Sequence, residues 1–339
     1  MIIISVQAQY DNLGDVIIRA EMLQWLAPIA HVAAIVGEAP DDYLEALQAP
    51  PNVTFVRSLG DALRLARELG ERASLVFSPG EQHLDLGVRE WPRAAANLAL
   101  AHAIKLRGGR VLKIGRGYRG EQTVLKQLEA GLVRASHLTL VRDQAATHMF
   151  PRAQWIPDVA LASDRFGRDN GDHPRGLVSV SLRVDRAHPR ELVQRTVDAA
   201  GLDPRFVVQV RRDDAVADSL DLGSSTTWSG SLVTQLPLVA DAYTRSRYVV
   251  SDRLHSLLFG LLCGAIPIGI ETGNFGKLER QLYPLGLGGQ VMRGWSDDRL
   301  PALIAGPYEP MQAISTGALE QARLRLLEAR RRVVHVLES

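Results

Sequence analysis

Arg253 and His255 stand in the stretch SDRLHSLLFGLLCGAIPIGI, residues 251–270, at the first turn of what otherwise reads as a buried helix. A helix N-terminus carries partial positive charge, so a cation placed there calls for a nearby anion. A guanidinium offers a planar fork that matches phosphate or carboxylate, and an imidazole can pass a proton near neutral pH. Leu254, Leu257, Leu258 and Leu261 follow the i, i+3, i+4, i+7 rule and form a packing stripe, with Arg253 and His255 outside it. The apolar strand LVSVSL leads into Arg183 at its carboxyl edge, and RYVVS is a second such strand leading into Arg253. Two arginines at adjacent strand ends make a two-pronged clamp for an anion. The alternative pairs Arg253 with Asp252 and makes His255 a satisfied core histidine. The helix N-terminus and Arg253 both disfavour an imidazolium at His255, and a bound phosphate reverses that bias.

Three further stretches carry polar residues at strand ends. SVQAQYDNLGD runs from a strand into a helix, with Asp11, Asn12, Gly14 and Asp15 at the turn. Exposed N–H groups there can receive an anion or a sugar hydroxyl. Equally, Gly14 permits a tight turn and Asp15 favours a helix N-terminus. GEQHLD, residues 80–85, alternates Glu81, His83 and Asp85 after the strand SLVFS, and reads as a polar loop rather than a metal site. GRGYRG, residues 115–120, has G-x-G-x-x-G spacing but no fitting acidic partner downstream, and reads as a loop allowing close backbone approach.

The elements that position these residues alternate short apolar runs with longer amphipathic stretches, the pattern of α/β layering on parallel sheets. A first series contains IIISV, HVAAIV, VTFV, SLVFS, RVLKI and LTLV, with helices such as LGDVIIRAEMLQWL and DALRLARELG between them. The period-free segment 149–176 reads as a connection, and a second series follows: LVSVSL, FVVQV, STTWS, YVVS and AIPIGI. The fold class is α/β, two Rossmann-like doubly wound domains facing across a cleft as in two-domain (GT-B) glycosyltransferases, with a C-terminal helix. Its bounds are 1–170, 171–312 and, for the amphipathic helix whose arginines read as a solvated face, 313–339. A chain of 339 residues suits two such domains.

Composition narrows the partners. A net charge of +1, with no basic tract, gives no electrostatic case for nucleic acid. The single cysteine, Cys263, excludes a disulfide framework and a thiolate zinc site and fits a cytoplasmic protein. The longest apolar run, Leu257 to Ile270, is shorter than the roughly twenty residues a membrane span needs, so membrane contact is at most peripheral, at the inner face.

NLGD at the first strand–helix turn, LVRDQAATHMF followed by IPDVAL, SVSLR, and SDRLHSLLFGLLCGAIPIGI followed by NFGKLERQLYPLGL together resemble the polysaccharide pyruvyl transferase family. The matches keep the family's order from Asp11 to about Leu287. The resemblance implies two Rossmann-like domains and transfer of a pyruvyl group from phosphoenolpyruvate to two hydroxyls of a sugar, forming a cyclic ketal. The acceptor is then a cell-surface polysaccharide or its lipid-linked precursor. It implies donor contacts at Arg183, Arg253, Leu254 and Lys277, with His255 as the acid/base. Asp11, Asn12, Gly14, Asp15, Glu81 and His83 are left for the acceptor. No metal or redox cofactor is required; phosphoenolpyruvate is a co-substrate. A sugar-nucleotide-dependent glycosyltransferase on the same architecture is the rival, with Arg253 on a diphosphate and Glu271 on a ribose. A glycan-binding protein would want aromatic platforms, and aromatics are only 6% of the chain.

Overall fold

A computed structural model describes residues 1–120, 123–166, 175–272 and 276–339. Residues 167–174, within the segment read as a connection, and Gly273 to Phe275, within the NFGK stretch, lie outside the described residues. The chain divides into two compact units. The first comprises Met1–Tyr10, Val16–Val159 and Leu324–Ser339; the second comprises Asp11–Asp15 and Ala160–Arg323.

The strands of the first unit are β1 (Ile2–Ser5), β2 (Val32–Ile35), β3 (Val53–Val56), β4 (Ser74–Phe77), β5 (Gly80–His83), β6 (Val111–Arg119), β7 (Leu138–Val141) and β8 (Gln154–Trp155). They pair in the order β3-β2-β1-β4-β6-β7-β8, all parallel, with β5 added alongside β6. Short, Val- and Ile-rich runs suit this placement, because helical crossovers cover both faces of a parallel sheet and leave no side for polar alternation. Ile3, Ile4, Val76, Val111 and Leu140 are each buried accordingly.

Two loop readings change here. All of GRGYRG but its last glycine is the second half of β6, and Gly80, Glu81, Gln82 and His83 pair with Arg116, Gly117, Tyr118 and Arg119. The register shifts between Lys113 and Arg116, where Gly115 takes φ 68°. β7 pairs with β6 on both sides of that bulge, at Lys113 and at Arg116, while β4 takes the first half of the strand and β5 the second, so its backbone groups are satisfied by pairing rather than by water.

The second unit holds β9 (Leu177–Ser181), β10 (Asp203–Val207), β11 (Ser225–Thr226), β12 (Ser246–Ser251), β13 (Ile266–Ile270) and β14 (Val291–Met292). Their order is β11-β10-β9-β12-β13-β14, again all parallel. Val178, Val180, Phe206, Val250 and Ile268 form its core. The helix Leu254–Leu262 packs on β12 and β13 and is buried all round, not along one stripe: Ser256, Phe259, Gly260 and Leu262 are buried with the four leucines. His255 alone among its residues is only partly buried.

The last helix, Tyr308–Glu338, begins before the expected amphipathic stretch. Its arginines are not simply a solvated face. Arg323 donates to the carbonyls of Leu161 and Ser163, Arg330 donates to the carbonyl of Gln24, and Arg325 lies 5.0 Å from the centre of the Trp155 ring. A guanidinium with five donors finds carbonyls left unpaired at chain turns, which a charge pattern alone does not reveal. Among the described residues, no helix is long and apolar enough to cross a membrane.

Candidate active site

The candidate site is built at the carboxyl ends of β9, β10 and β12. Beneath it lies a buried polar layer. Ser251 Oγ donates to the Ser181 carbonyl, Ser256 Oγ donates to Ser181 Oγ at 3.0 Å, and Gln209 Nε2 donates to the Tyr243 hydroxyl at 3.0 Å. Burial raises the Tyr243 phenol well beyond its ordinary value, so it stays a neutral hydrogen-bonding group. These small hydroxyls stitch neighbouring strand ends together and fix where the following residues emerge.

Arg183 follows β9. Its backbone N–H donates to Asp252 Oδ1 at 3.0 Å, tying the end of β9 to the end of β12. Its guanidinium is held in a two-bond fork by Asp185, with Nε to Oδ1 at 2.8 Å and Nη2 to Oδ2 at 2.6 Å. Those hydrogen bonds hold the Asp185 carboxyl well below its ordinary value. The pair is partly solvated, Arg183 at 28% and Asp185 at 46% side-chain exposure, so it is open to exchange with another anion.

Arg253 is the N-cap of the helix Leu254–Leu262, and its backbone N–H donates to Ser251 Oγ at 2.9 Å. Its guanidinium pairs with Asp213 rather than with the neighbouring Asp252, and this pair is deep: 10% and 2% side-chain exposure. Asp213 is set by the turn after β10 and also accepts from the Val184 N–H at 3.1 Å. Spacing could not reveal that partner, because it comes from another strand end forty residues away.

Asp252 accepts instead from the Arg183 N–H and from Thr272 Oγ1 at 3.2 Å, with His188 Nε2 at 3.9 Å. Burial pushes its carboxyl above the usual range, against the pull of His188 and Arg253. His188 lies 2.7 Å from the Arg183 carbonyl through Nε2, and Trp295 Nε1 donates to its Nδ1 at 3.3 Å. A carbonyl only accepts and an indole only donates, so these partners assign the proton to Nε2. Neither His188 nor Trp295 carried a recognisable motif.

His255 sits against the NLGD turn. Asn12 Oδ1 accepts from the Gly14 N–H at 3.0 Å and so caps the helix Leu13–Leu26. Asn12 bridges Val210, the Leu13 N–H donates to the Gln209 carbonyl at 3.2 Å, and the Arg211 N–H donates to the Asp11 carbonyl at 3.3 Å. These backbone bonds explain why Asp11–Asp15, expected within the first domain, groups with the second unit. A Cβ on Gly14 would stand 2.6 Å from His255 Cγ, so only glycine fits against the ring. The ring also stacks toward Phe259, centroids 6.0 Å apart, which itself stacks on Phe166 at 4.3 Å.

The remaining candidates divide. Leu254 is a core side chain, 4% exposed. Lys277 opens the helix Lys277–Leu282, half-buried, beside the Leu278 N–H that donates to Glu271 Oε2 at 2.8 Å. Glu271 is thus engaged in holding that helix start. Glu81 and His83 belong to the first unit, where Glu81 pairs with Arg119 at 3.0 Å and His83 lies 3.7 Å from Asp85.

The architecture is shared with sugar-nucleotide enzymes. MnaA of S. aureus, solved with UDP, is 11% identical with a TM-score of 0.60 over 100% of this chain and 98% of that one. The UDP-GlcNAc 2-epimerase of Neisseria meningitidis, bound to UDP-GlcNAc, is 10% identical with a TM-score of 0.58 over 97% and 100%. HepE of Anabaena, solved with UDP and glucose, is 14% identical with a TM-score of 0.56 over 100% and 99%. At such identities the likeness is one of fold, that of the GT-B enzymes. No curated protein matches the sequence. The model of the polysaccharide pyruvyl transferase family matches residues 12–274. That span runs from the Asn12 cap through Arg183, Arg253 and His255, and on this match the chain belongs to the polysaccharide pyruvyl transferase family.

Proposed function

We propose that the protein transfers a pyruvyl group from phosphoenolpyruvate to two hydroxyls of a saccharide, closing a cyclic ketal. One observation carries the reading: Arg183 and Arg253 emerge at the carboxyl ends of paired strands, with His255 two residues beyond Arg253. Phosphoenolpyruvate has two anionic groups, a phosphate and a carboxylate, which suits two guanidinium forks. Arg183 exchanges its exposed Asp185 for the donor, and Arg253, oriented by buried Asp213, holds the other anionic group. Lys277 adds a point charge.

The chemistry follows from the enol phosphate. His255 gives a proton to the methylene carbon, which becomes a methyl group, and positive charge develops at the adjacent carbon. One sugar hydroxyl adds there and loses its proton, and the C–O bond to phosphate breaks. The second hydroxyl then adds to the same carbon and loses its proton, leaving the ketal and inorganic phosphate. A well-placed proton transfer contributes about 10²–10⁴ in rate, and arginines on the departing phosphate stabilise its charge. The Asp11–Asp15 turn beside His255 presents backbone and carboxylate groups to the sugar hydroxyls.

The test is mass spectrometry of candidate glycans and glycosyl phosphates incubated with the protein and phosphoenolpyruvate. Gain of one pyruvyl group with release of one phosphate supports the reading. Glycosyl transfer from a nucleotide sugar, with phosphoenolpyruvate inert, would replace it with the rival.

A further inference from the structure

The first unit contains two arginines that the pyruvyl chemistry leaves unused. In its sheet the strand order reverses between β1 and β4, and open α/β sheets bind ligands beyond the carboxyl ends of their strands at such a point. Arg19, on the helix Leu13–Leu26, reaches this region with only 7% of its surface exposed. Its Nε and Nη1 are buried and have no hydrogen-bond partner among the described residues. Arg116, on β6, likewise has a buried Nε without a partner, and its Nη1 reaches only Gln82 Oε1, at 3.4 Å.

Among the described residues, the acids nearby are already engaged. Glu129 is bound by Lys113 at 2.6 Å and by the Tyr118 hydroxyl at 2.5 Å, Glu81 by Arg119 at 3.0 Å, and Asp158 by Arg142 at 2.7 Å. Burial, with the Arg19 charge adding to it, lowers the Arg116 guanidinium from its ordinary value despite Glu129. Among the described residues neither the buried Arg19 nor the half-buried Arg116 has a carboxylate of its own, an unfavourable arrangement unless an anion joins them.

The space for that anion is over Gly80, at the start of β5, which pairs in register with Arg116. Gly80 has φ 142°, and within 4 Å of where its Cβ would stand the only described atom beyond its chain neighbours is Arg19 Nη2, at 3.6 Å. A glycine with no side chain therefore leaves an opening bordered by the guanidinium. A tetrahedral oxyanion offers oxygens to both forks, and Gln82, which shares this face of β5 with Gly80 and touches Arg116, offers a partner for a hydroxyl group.

We propose that Arg19 and Arg116 form a second phosphate-binding site, in the first unit and separate from the donor arginines, and that it takes the phosphate of a glycosyl phosphate or diphosphate. The sugar half of this assignment rests on the reading of the protein as a saccharide-modifying enzyme; the phosphate half does not.

The test is calorimetric titration of the full chain with glucose 1-phosphate, inorganic phosphate and methyl glucoside, each with and without saturating phosphoenolpyruvate. Glucose 1-phosphate is expected to bind in the presence of phosphoenolpyruvate and more tightly than inorganic phosphate, with methyl glucoside weakest. Arg19→Gln and Arg116→Gln should each weaken it at least about tenfold while changing phosphoenolpyruvate affinity less than twofold. Should Arg19→Gln fail to fold, the half-buried Arg116→Gln and the charge-keeping Arg19→Lys decide the matter, Arg19→Lys retaining part of the affinity. Complete displacement by phosphoenolpyruvate, or wild-type affinity in Arg116→Gln, would overturn the site. Equal affinity for inorganic phosphate would overturn its assignment to a glycosyl phosphate. Because binding is read without turnover, failure of pyruvyl transfer in the mass-spectrometric assay leaves this result legible.

Discussion

Gly14 packs against His255, so closely that a methyl group at position 14 would overlap the imidazole. The NLGD turn is thus part of what orients the ring, and not only a helix start. Gly14→Ala should gain helix propensity, about 1 kcal/mol in isolation, yet force His255 aside. We expect turnover to fall at least about tenfold with phosphoenolpyruvate affinity nearly unchanged. Steady-state kinetics with a donor titration check it, and a Gly14→Ala enzyme of wild-type kcat would show that the ring's position is immaterial.

His255 itself is expected to act through its proton. His255→Gln keeps a hydrogen-bond donor of similar reach and should retain much of the donor affinity, while kcat at saturating donor and acceptor drops at least about 10². Turnover within about threefold of wild type would assign the proton to another group, with Asp15 or Asp11 next in line.

The two donor arginines should differ in what their loss does to the fold. Arg253→Ala strands Asp213, whose side chain is 2% exposed, and should destabilise the protein by about 3–5 kcal/mol as well as weaken the donor. Arg183→Ala releases the solvated Asp185 and should leave stability within about 1 kcal/mol, while losing about 1.5–3 kcal/mol of donor binding. Asp185→Asn should tighten the donor severalfold, because it removes the competing carboxylate. Denaturant melts beside calorimetric titrations separate the cases; equal stability losses in both arginine variants would contradict the asymmetry.

A pH dependence of stability follows from Glu129. Burial works to raise its carboxyl, yet the Lys113 ammonium, with help from the Tyr118 hydroxyl, holds it below its ordinary value. A depressed folded value means that its stabilisation is present above the unfolded value of about 4.3 and is lost as pH falls through the folded one. Glu129→Gln should cost about 3–5 kcal/mol at pH 7, since it leaves Lys113 buried without its counter-charge, and the deficit relative to wild type should shrink toward pH 3. Thermal melts across that range test the sign.

Cys263 is fully buried, and burial pushes its thiol up to about 12. It should resist maleimide at pH 7.5 in the native protein and label at once in denaturant. Rapid native labelling would mean that the helix Leu254–Leu262 opens readily.

Local pattern determined the elements, and it placed the chemistry at their joints. IIISV, SLVFS and LVSVSL are strands because a run buried on both faces must be apolar throughout, and LGDVIIRAEMLQWL is the helix Leu13–Leu26 as its period demands. SDRLHS had to be a strand–helix joint, so Arg253 and His255 were legible there. Which groups meet at the joints was settled only by tertiary structure. Arg253 chose Asp213 over its neighbour Asp252, because the turn after β10 brings that carboxylate to the guanidinium. The Asp11–Asp15 turn joined the second unit through backbone bonds to Gln209, Val210 and Arg211, which no side-chain pattern encodes. GRGYR became strand because Gly80–His83 lay alongside to pair with it, and among the described residues Glu129 and Glu81 pair with Lys113 and Arg119 rather than with Arg19 or Arg116. Periodicity and capping act over one or two turns of chain, whereas partner choice depends on which strand ends the sheet order sets side by side.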